Sequence, residues 1–267
     1  MMDADPLNLQ IGDARSLFNR TLARTLNVQS HIWAFHHYVV YGYPTALETT
    51  LKQTEQVARE HLMNPNFGTD EQRRPYLENL ETYARGAALN TVQDALATAE
   101  ASCIVFAHSM LDAAVLDYCR VSAMINAEDW SEWVEDDRFT LRQLRQTDTD
   151  GLLTEAVERF MKKLNYKSLL NKIEALQKVC QPGSAEIRED YKFDGDRIRR
   201  IDDLRIAIVH KEALGSRIPT LADDLEYLWE TNLYLSGLIA HRYGLRLGPE
   251  ALLFATGPAS SPSSPDG

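Results

Sequence analysis

The sequence predicts an all-α protein, a helical bundle with short connections. Apolar residues recur every three or four positions over long stretches, as on the buried face of an amphipathic helix. Strand signals are scarce. The run 31–43 (HIWAFHHYVVYGY) is rich in aromatic and β-branched residues but lacks clean alternation, so we predict a helix that ends near Gly42 or Pro44. Two amphipathic helices are predicted next, over 45–62 and 71–88, separated by an Asn-Pro-Asn turn.

A long apolar helix is predicted to form the spine of the bundle. It begins near Asn90 or Thr91, either of which could cap it, and continues to about Met124. The spacing predicts that one stripe of this helix is buried. The stripe consists of Val92, Leu96, Ala99, Cys103, Phe106, Met110, Ala113, Ala114 and Val121.

Shorter helices follow the spine. A polar stretch with tryptophans at 128–137 leads into predicted helices at 138–147, 151–163 and 166–179. The sequence Gln-Pro-Gly-Ser at 181–184 predicts a strong break after them.

Two further helices close the predicted bundle. The first covers 194–214 and stops at Gly215. The second covers 220–243, where Thr220 is a candidate cap and Asp223 stands at the capping-box position. Its predicted buried stripe consists of Leu221, Leu225, Leu228, Leu235 and Ile239.

Composition restricts the classes of function. The net charge of −11 argues against broad, non-specific binding of polyanions, although it leaves room for a local basic cleft. The acidic N-terminus has no secretion-signal pattern, and the longest apolar runs are far shorter than a membrane span. The three cysteines, Cys103, Cys119 and Cys180, form no CxxC pair and are interpreted as buried free thiols. We therefore expect a cytoplasmic protein that does not insert into membranes.

The sequence contains no motif that is typical of a metal site or of a cofactor-binding site. His31, His36 and His37 are close in sequence, but none is spaced i,i+4 from another, and a packed helix face explains them better than a metal site. HExxH, GxGxxG, GxxxxGK[ST] and GxSxG are all absent from the sequence. We expect no metal and no cofactor.

The segment that carries candidate chemistry contains Arg205 and His210. Between Arg197 and Arg217 there are six Arg and Lys against three Asp and Glu, a local excess of +3, which a solvated helix face would also explain. Imidazole can transfer a proton near neutral pH, and guanidinium can hold a phosphate oxygen while its charge grows. Five residues of ideal helix turn by about 140°, so the two side chains share a site only if the helix distorts or a second copy completes it.

The run IDDLRIAIVHKEA resembles the signature of the HEPN superfamily, in which a helix bears Leu-Arg-x4-His with apolar residues before the histidine. The resemblance covers about 91–250, including the long spine helix. Residues 1–90 are then an N-terminal helical extension, and 251–267 are a Ser/Pro-rich tail expected to be disordered. The family consists of α-helical bundles, often dimeric through the motif helices, and many members are metal-independent ribonucleases.

The resemblance implies that Arg205 and His210 are the catalytic pair of an endoribonuclease, with Lys211 and Arg200 as contacts to the RNA backbone. It also implies a homodimer and a role in toxin–antitoxin, defence or RNA-processing systems, where an antitoxin or regulatory protein would be a partner.

Two positions depart from the family pattern. Ile206 stands where a polar residue is usual, and Glu212 stands where members modified by a partner nucleotidyltransferase have tyrosine. The departure at Ile206 favours the alternative function, a catalytically inactive HEPN-like dimer that binds RNA or protein. An unrelated helical protein is the remaining alternative.

Overall fold

The computed structural model describes residues 6–64, 66, 68–134, 138–139, 148–180, 191–210 and 217–246. The prediction of an all-α fold is confirmed, because these residues form helices and turns and no strand. The helices are α1 (Pro6–Leu62), α2 (Asp70–Glu78), α3 (Leu80–Ile125), a 3₁₀ helix (Ala127–Trp133), α4 (Thr149–Leu164), α5 (Leu169–Val179), α6 (Gly195–Val209) and α7 (Leu221–Tyr243).

The chain divides into two compact units that are each built from separate segments. Unit 1 comprises the described residues within Met1–Ser30, Ala107–Asp203 and Asp224–Gly267, and unit 2 those within His31–Phe106 and Leu204–Asp223. Helices α1, α3, α6 and α7 each contribute residues to both units. Residue 90, the predicted end of the N-terminal extension, lies inside α3.

The core of unit 1 is built around the second half of α3. This part of the helix is buried on several faces, as expected of a helix that is apolar almost all round. Its fully buried positions include Leu111, Ala114, Val115, Tyr118, Cys119 and Val121. The predicted stripe on α7 is confirmed, since all five of its Leu and Ile residues are buried.

The predicted stripe on α3 is only partly correct. Val92, Leu96 and Cys103 are buried as predicted, but Phe106 is 64% exposed. The buried position is its neighbour Ala107, followed by Leu111. The prediction is wrong at Phe106 because apolar residues surround most of α3, so their spacing alone does not select the buried face.

Ala113, another residue of the predicted stripe, is exposed as well. Ala114 and Val121, which also belong to the predicted stripe, are buried as predicted.

Several predicted helix ends are wrong. Helix α1 continues through Gly42 and position 44, so the predicted 31–43 and 45–62 helices are one. The predicted 71–88 helix is two, because α2 ends at the cap Asn79 and α3 begins one residue later. Thr91 therefore caps nothing: it lies within α3, where its hydroxyl donates to the carbonyl of Ala87 at 2.9 Å.

The shorter elements agree better with the predictions. Helices at 151–163 and 166–179 are confirmed as α4 and α5, each capped by an acceptor side chain, Asp148 and Ser168. The predicted helix at 138–147 is not seen at 138–139, and its other residues lie outside the described ranges. The break at 181–184, Gly215 and the tail at 251–267 also lie outside them.

One described helix, α3, is long and apolar enough to cross a membrane by length and composition. Of its most apolar 18-residue window, 61% is buried inside the protein. Core helices of soluble proteins share both properties, so α3 is weak evidence for membrane insertion.

Candidate functional site

The candidate site lies on α6, whose first turn is fixed by Asp194. The carboxylate of Asp194 accepts hydrogen bonds from the backbone N–H groups of Asp196 and Arg197, both at 3.0 Å, as a helix N-cap does. The Asp194 backbone also bonds Tyr227 of α7: its N–H donates to the Tyr227 hydroxyl at 2.7 Å, and that hydroxyl lies 2.9 Å from its carbonyl oxygen. The start of α6 is thereby tied to α7 within unit 1.

Two arginines of α6 hold a fully buried carboxylate on α7. Asp224 is 0% exposed and accepts from Nε and Nη2 of Arg197, both at 3.3 Å, and from Nη1 of Arg200 at 3.1 Å. A second Arg200 nitrogen, Nη2, also contacts Asp224. Arg197 lies over the Tyr227 ring at 4.5 Å as a cation–π pair. Arg200, a predicted RNA contact, thus helps to anchor α6, and its contact with RNA stays a prediction.

A third tie joins α6 to α3. The Nε2 atom of His108 lies 3.1 Å from an oxygen of Asp202, and the two side chains are 5% and 19% exposed. This contact brings α3 and α6 together at residues 108 and 202. The three ties together hold residues 194–202 of α6 within unit 1.

The predicted catalytic residues lie in unit 2, at the end of α6. Arg205 is half-buried, and its Nε is buried with no acceptor among the described residues. His210 is exposed, directly follows the last residue of the helix, and donates its backbone N–H to the Ile206 carbonyl at 3.0 Å. Ile206 and Val209 expose 42% and 53% of their surface. Lys211 lies outside the described residues.

The structure does not remove the phase difference between the two residues. From 205 to 209 the backbone is regular helix, and His210 begins the following turn. Ideal geometry separates positions 205 and 210 by about 140° around the axis and roughly 7.5 Å along it. One copy of α6 therefore presents the guanidinium and the imidazole in different directions.

Sequence reasoning missed a second buried carboxylate, in unit 2. Glu100 is 3% exposed and accepts from Arg217 Nε at 2.7 Å and from the backbone N–H of Ile218 at 2.9 Å. Burial lowers the pKa of nearby His36, an effect that Glu100 opposes and that His37 and Arg217 reinforce. Glu100 fixes the segment before α7. No local motif signals the pair, because its residues are 117 positions apart.

The thiols and the acidic side chains give little sign of other chemistry. The three cysteines are free and buried, and burial raises the pKa of the Cys103 thiol to about 11 and that of Cys180 to about 12. Burial also raises the pKa of Cys119. Thiols in this state are protonated at neutral pH and are poor nucleophiles. In the described part of the chain, no three His, Cys, Asp or Glu side chains converge as metal ligands.

Comparisons with protein-family models, with curated proteins and with solved structures find no match to this chain. The resemblance to HEPN proteins therefore rests on the motif residues. Arg205 lies on α6, and His210 lies in the turn directly after it.

Proposed function

We propose that this protein is a metal-independent endoribonuclease of HEPN type, in which Arg205 and His210 act on the scissile phosphate. The observation that carries the proposal is the state of Arg205: its Nε is buried and meets no acceptor among the described residues. A buried donor without an acceptor costs roughly 1–3 kcal/mol. A phosphate oxygen that accepts from this guanidinium would gain a charge-assisted hydrogen bond.

In the proposed reaction, His210 is the general acid and base. An imidazole removes the proton from the RNA 2′-hydroxyl, which attacks the neighbouring phosphorus, and a protonated imidazole gives a proton to the leaving 5′-oxygen. Arg205 stabilises the negative charge that grows on the phosphate oxygens. The products are a 2′,3′-cyclic phosphate and a 5′-hydroxyl end. The exposure of His210 is compatible with contact to RNA in solution.

A second copy of the chain completes the proposed site. Because Arg205 and His210 point in different directions from one helix, the guanidinium of one copy is expected to act with the imidazole of the other. Ile206 and Val209 support a contact between copies of α6, since both expose apolar surface beside the motif. The assembly expected is a homodimer with two-fold symmetry.

The proposed setting is the cytoplasm, in toxin–antitoxin, defence or RNA-processing systems. Free, buried cysteines suit a reducing compartment. An antitoxin or other regulatory protein is the expected partner in such systems.

The alternative is a catalytically inactive HEPN-like module that binds RNA or protein. The specific observation in its favour is Ile206, which is 42% exposed and apolar where the family usually has a polar residue. At that position the chain offers no side-chain donor or acceptor to RNA or to the catalytic histidine. An exposed apolar side chain suits a protein contact better.

Cleavage of mixed RNAs by the purified protein tests the proposal. Wild-type protein should cut RNA with EDTA present and leave 2′,3′-cyclic phosphate or 3′-phosphate ends. His210→Ala and Arg205→Ala should each lower the rate on the order of 10²-fold or more. Matched controls are His241→Ala, which changes an exposed histidine on α7, and Arg199→Ala, which changes an exposed arginine that pairs with Asp196 on the same helix.

Two results would move the conclusion to the binding module. The first is an absence of cleavage by wild-type protein on every RNA tested. The second is RNA affinity that is unaltered by Arg205→Ala, which would show that the arginine does not hold phosphate.

A further inference from the structure

Unit 2 exposes an uncharged aromatic face on α1. Phe35, Tyr38 and Tyr41 are 47%, 77% and 70% exposed. From His31 to Leu47 the helix contains no Asp, Glu, Lys or Arg, although one residue in four of the whole chain is charged. Interfaces between proteins are enriched in aromatic residues and depleted of charges at their centre, and this face has both features.

The rest of α1 in unit 2 has an ordinary polar surface. Glu48 pairs with Lys52 at 2.7 Å, and Glu55 pairs with Arg59 at 3.1 Å, both one turn apart. The aromatic face therefore ends abruptly at Glu48.

Four exposed residues of this face form a single stripe along α1. They are Ala34, Tyr38, Tyr41 and Thr45, and all four are exposed. Their separations are four, three and four residues, the spacing that keeps side chains on one side of a helix. The stripe is small, large, large and small in side-chain size, and it spans roughly 16 Å at 1.5 Å per residue.

The stripe is symmetric about its centre, both in the spacing of its residues and in the order of their side-chain sizes. When two antiparallel copies of α1 meet about a two-fold axis placed between Tyr38 and Tyr41, each Tyr38 faces Tyr41 of the second copy. Each Ala34 then faces Thr45, so two small side chains meet and let the helices approach. One step further out, His31 faces Glu48 of the second copy, and both are exposed. The same register thus pairs rings with rings and an imidazole with a carboxylate, twice each by symmetry.

We propose that a second copy of this chain covers the face, through antiparallel packing of α1 over residues 31–48. Tyrosine rings stack in pairs at the centre, and the two His31–Glu48 pairs close the ends. The inference stands apart from the proposed function: it names a contact on α1, and testing it needs no RNA.

The size of the face sets the strength expected of this contact. A buried aromatic side chain contributes about 150–250 Å², so the exposed fractions of Tyr38 and Tyr41 amount to roughly 300 Å² in each copy. Both copies together, with the small residues added, bury on the order of 1,000 Å², the low end for a specific interface. The dimer should therefore be reversible and dissociate in the micromolar range.

Single-stranded RNA would also stack on exposed aromatic rings. Phosphate contacts, however, come from Lys and Arg, and residues 31–47 contain neither. The charge pattern favours a second copy of the chain over RNA.

Sedimentation velocity of the full chain between about 1 and 100 µM, a range that brackets the expected dissociation constant, tests the contact. The mass of the wild-type assembly should rise over this range, whether or not copies also meet through α6. Tyr38→Glu combined with Tyr41→Glu puts four like charges at the centre of the interface and should weaken association at least tenfold. Tyr166→Glu is the matched control, since Tyr166 is 88% exposed and lies in unit 1. Far-UV circular dichroism verifies that each variant is folded.

A charge swap tests the register. His31→Glu faces Glu48 of the second copy and should weaken the dimer, and adding Glu48→Lys should restore it because the opposite charges then meet again. Failure of the second change to restore association overturns this register.

The proposal is overturned as a whole if wild-type protein is monomeric at the highest concentration, or if the tyrosine variant associates as wild type does. If the concentration-dependent step survives the tyrosine changes and is lost on Val209→Glu, that step belongs to the α6 contact of the proposed function, and the contact on α1 is overturned. Loss of RNA binding in the tyrosine variant, with sedimentation unchanged, would assign the face to RNA.

Discussion

Lys172 offers the most direct test of the packing in unit 1. Its side chain is 1% exposed, and its ammonium lies 2.7 and 2.8 Å from the two carboxylate oxygens of Asp112. Asp112 itself is 33% exposed, so the two partners of this ion pair differ in their access to water. Removing one partner should therefore have a different cost from removing the other.

Asp112→Ala leaves a buried ammonium without its counter-charge, a change that costs about 3–5 kcal/mol in proteins. The partial exposure of the site places the expected loss near the lower limit, about 3 kcal/mol. Lys172→Met keeps the length of the side chain and removes the buried charge, while Asp112 keeps its contact with water. Replacing a buried charge by an apolar group of similar volume is often close to neutral, so we expect a loss of about 1 kcal/mol or less.

Urea unfolding followed by far-UV circular dichroism measures both values, because the helical signal is large. Lys52→Met is the control: Lys52 is 74% exposed and pairs with Glu48 one turn away, so the change should cost at most about 0.5 kcal/mol. The interpretation fails if Lys172→Met destabilises more than Asp112→Ala. It also fails if Asp112→Ala lies within about 1 kcal/mol of wild type.

Three further predictions follow from burial. Ile104→Ala should lower the free energy of unfolding by about 2–5 kcal/mol, whereas Phe106→Ala should lower it by less than about 1 kcal/mol, because the two residues are 0% and 64% exposed. The midpoints of urea unfolding measure this difference. Trp130→Ala should cost about 3–5 kcal/mol, because the indole is fully buried and donates to Ser122 at 3.0 Å, and a change under about 1 kcal/mol would contradict that packing. The free energy of unfolding should fall above about pH 9, because burial raises the pKa of several tyrosines and cysteines in the folded state. Above the ordinary pKa values, the unfolded chain releases protons that the folded state keeps, and this favours unfolding. Melting temperatures measured from about pH 8 to 11 test this, and a flat profile would contradict it. The groups concerned are Tyr118, Tyr191, Tyr243, Cys103, Cys119 and Cys180.

The all-α fold class and the buried stripe of α7 could be predicted from the sequence, because both follow from the spacing of apolar residues within one segment. Leucines at three- and four-residue spacing on α7 leave little choice of buried face. On α3 the apolar residues cover most of the circumference, so spacing alone does not select the core face. Side-chain size favours burial of Phe106, but Ala107 occupies the core. Which face of α3 is buried depends on which other helices pack against it, and the sequence of α3 alone carries no information about them.

Helix ends are harder to predict because polar residues have two uses. Asn90 and Thr91 resemble an N-cap, but the Thr91 hydroxyl bonds the Ala87 carbonyl inside a continuous helix. Real caps, such as Thr69 at the start of α2, use the same atom types. Hydroxyl and amide side chains satisfy either geometry, and the surrounding packing decides between them.

The charge of the motif segment shows most clearly what the sequence leaves undetermined. Counted between residues 197 and 217, the segment has an excess of cations that suggests a basic cleft. In the fold, Arg197 and Arg200 bind Asp224, and Arg217 binds Glu100. Both acids lie outside the counted segment and are buried. Most of the excess is therefore neutralised locally and holds helices together.

Arg205 differs from these arginines because its buried Nε has no acceptor among the described residues. Truncating an arginine that a fold uses as an anchor is expected to lower stability, whereas truncating one that holds phosphate is expected to lower RNA cleavage with little loss of stability. Measuring both quantities for Arg197→Ala and Arg205→Ala separates the two roles. Equal destabilisation by the two changes, with cleavage unchanged, would make Arg205 another anchor.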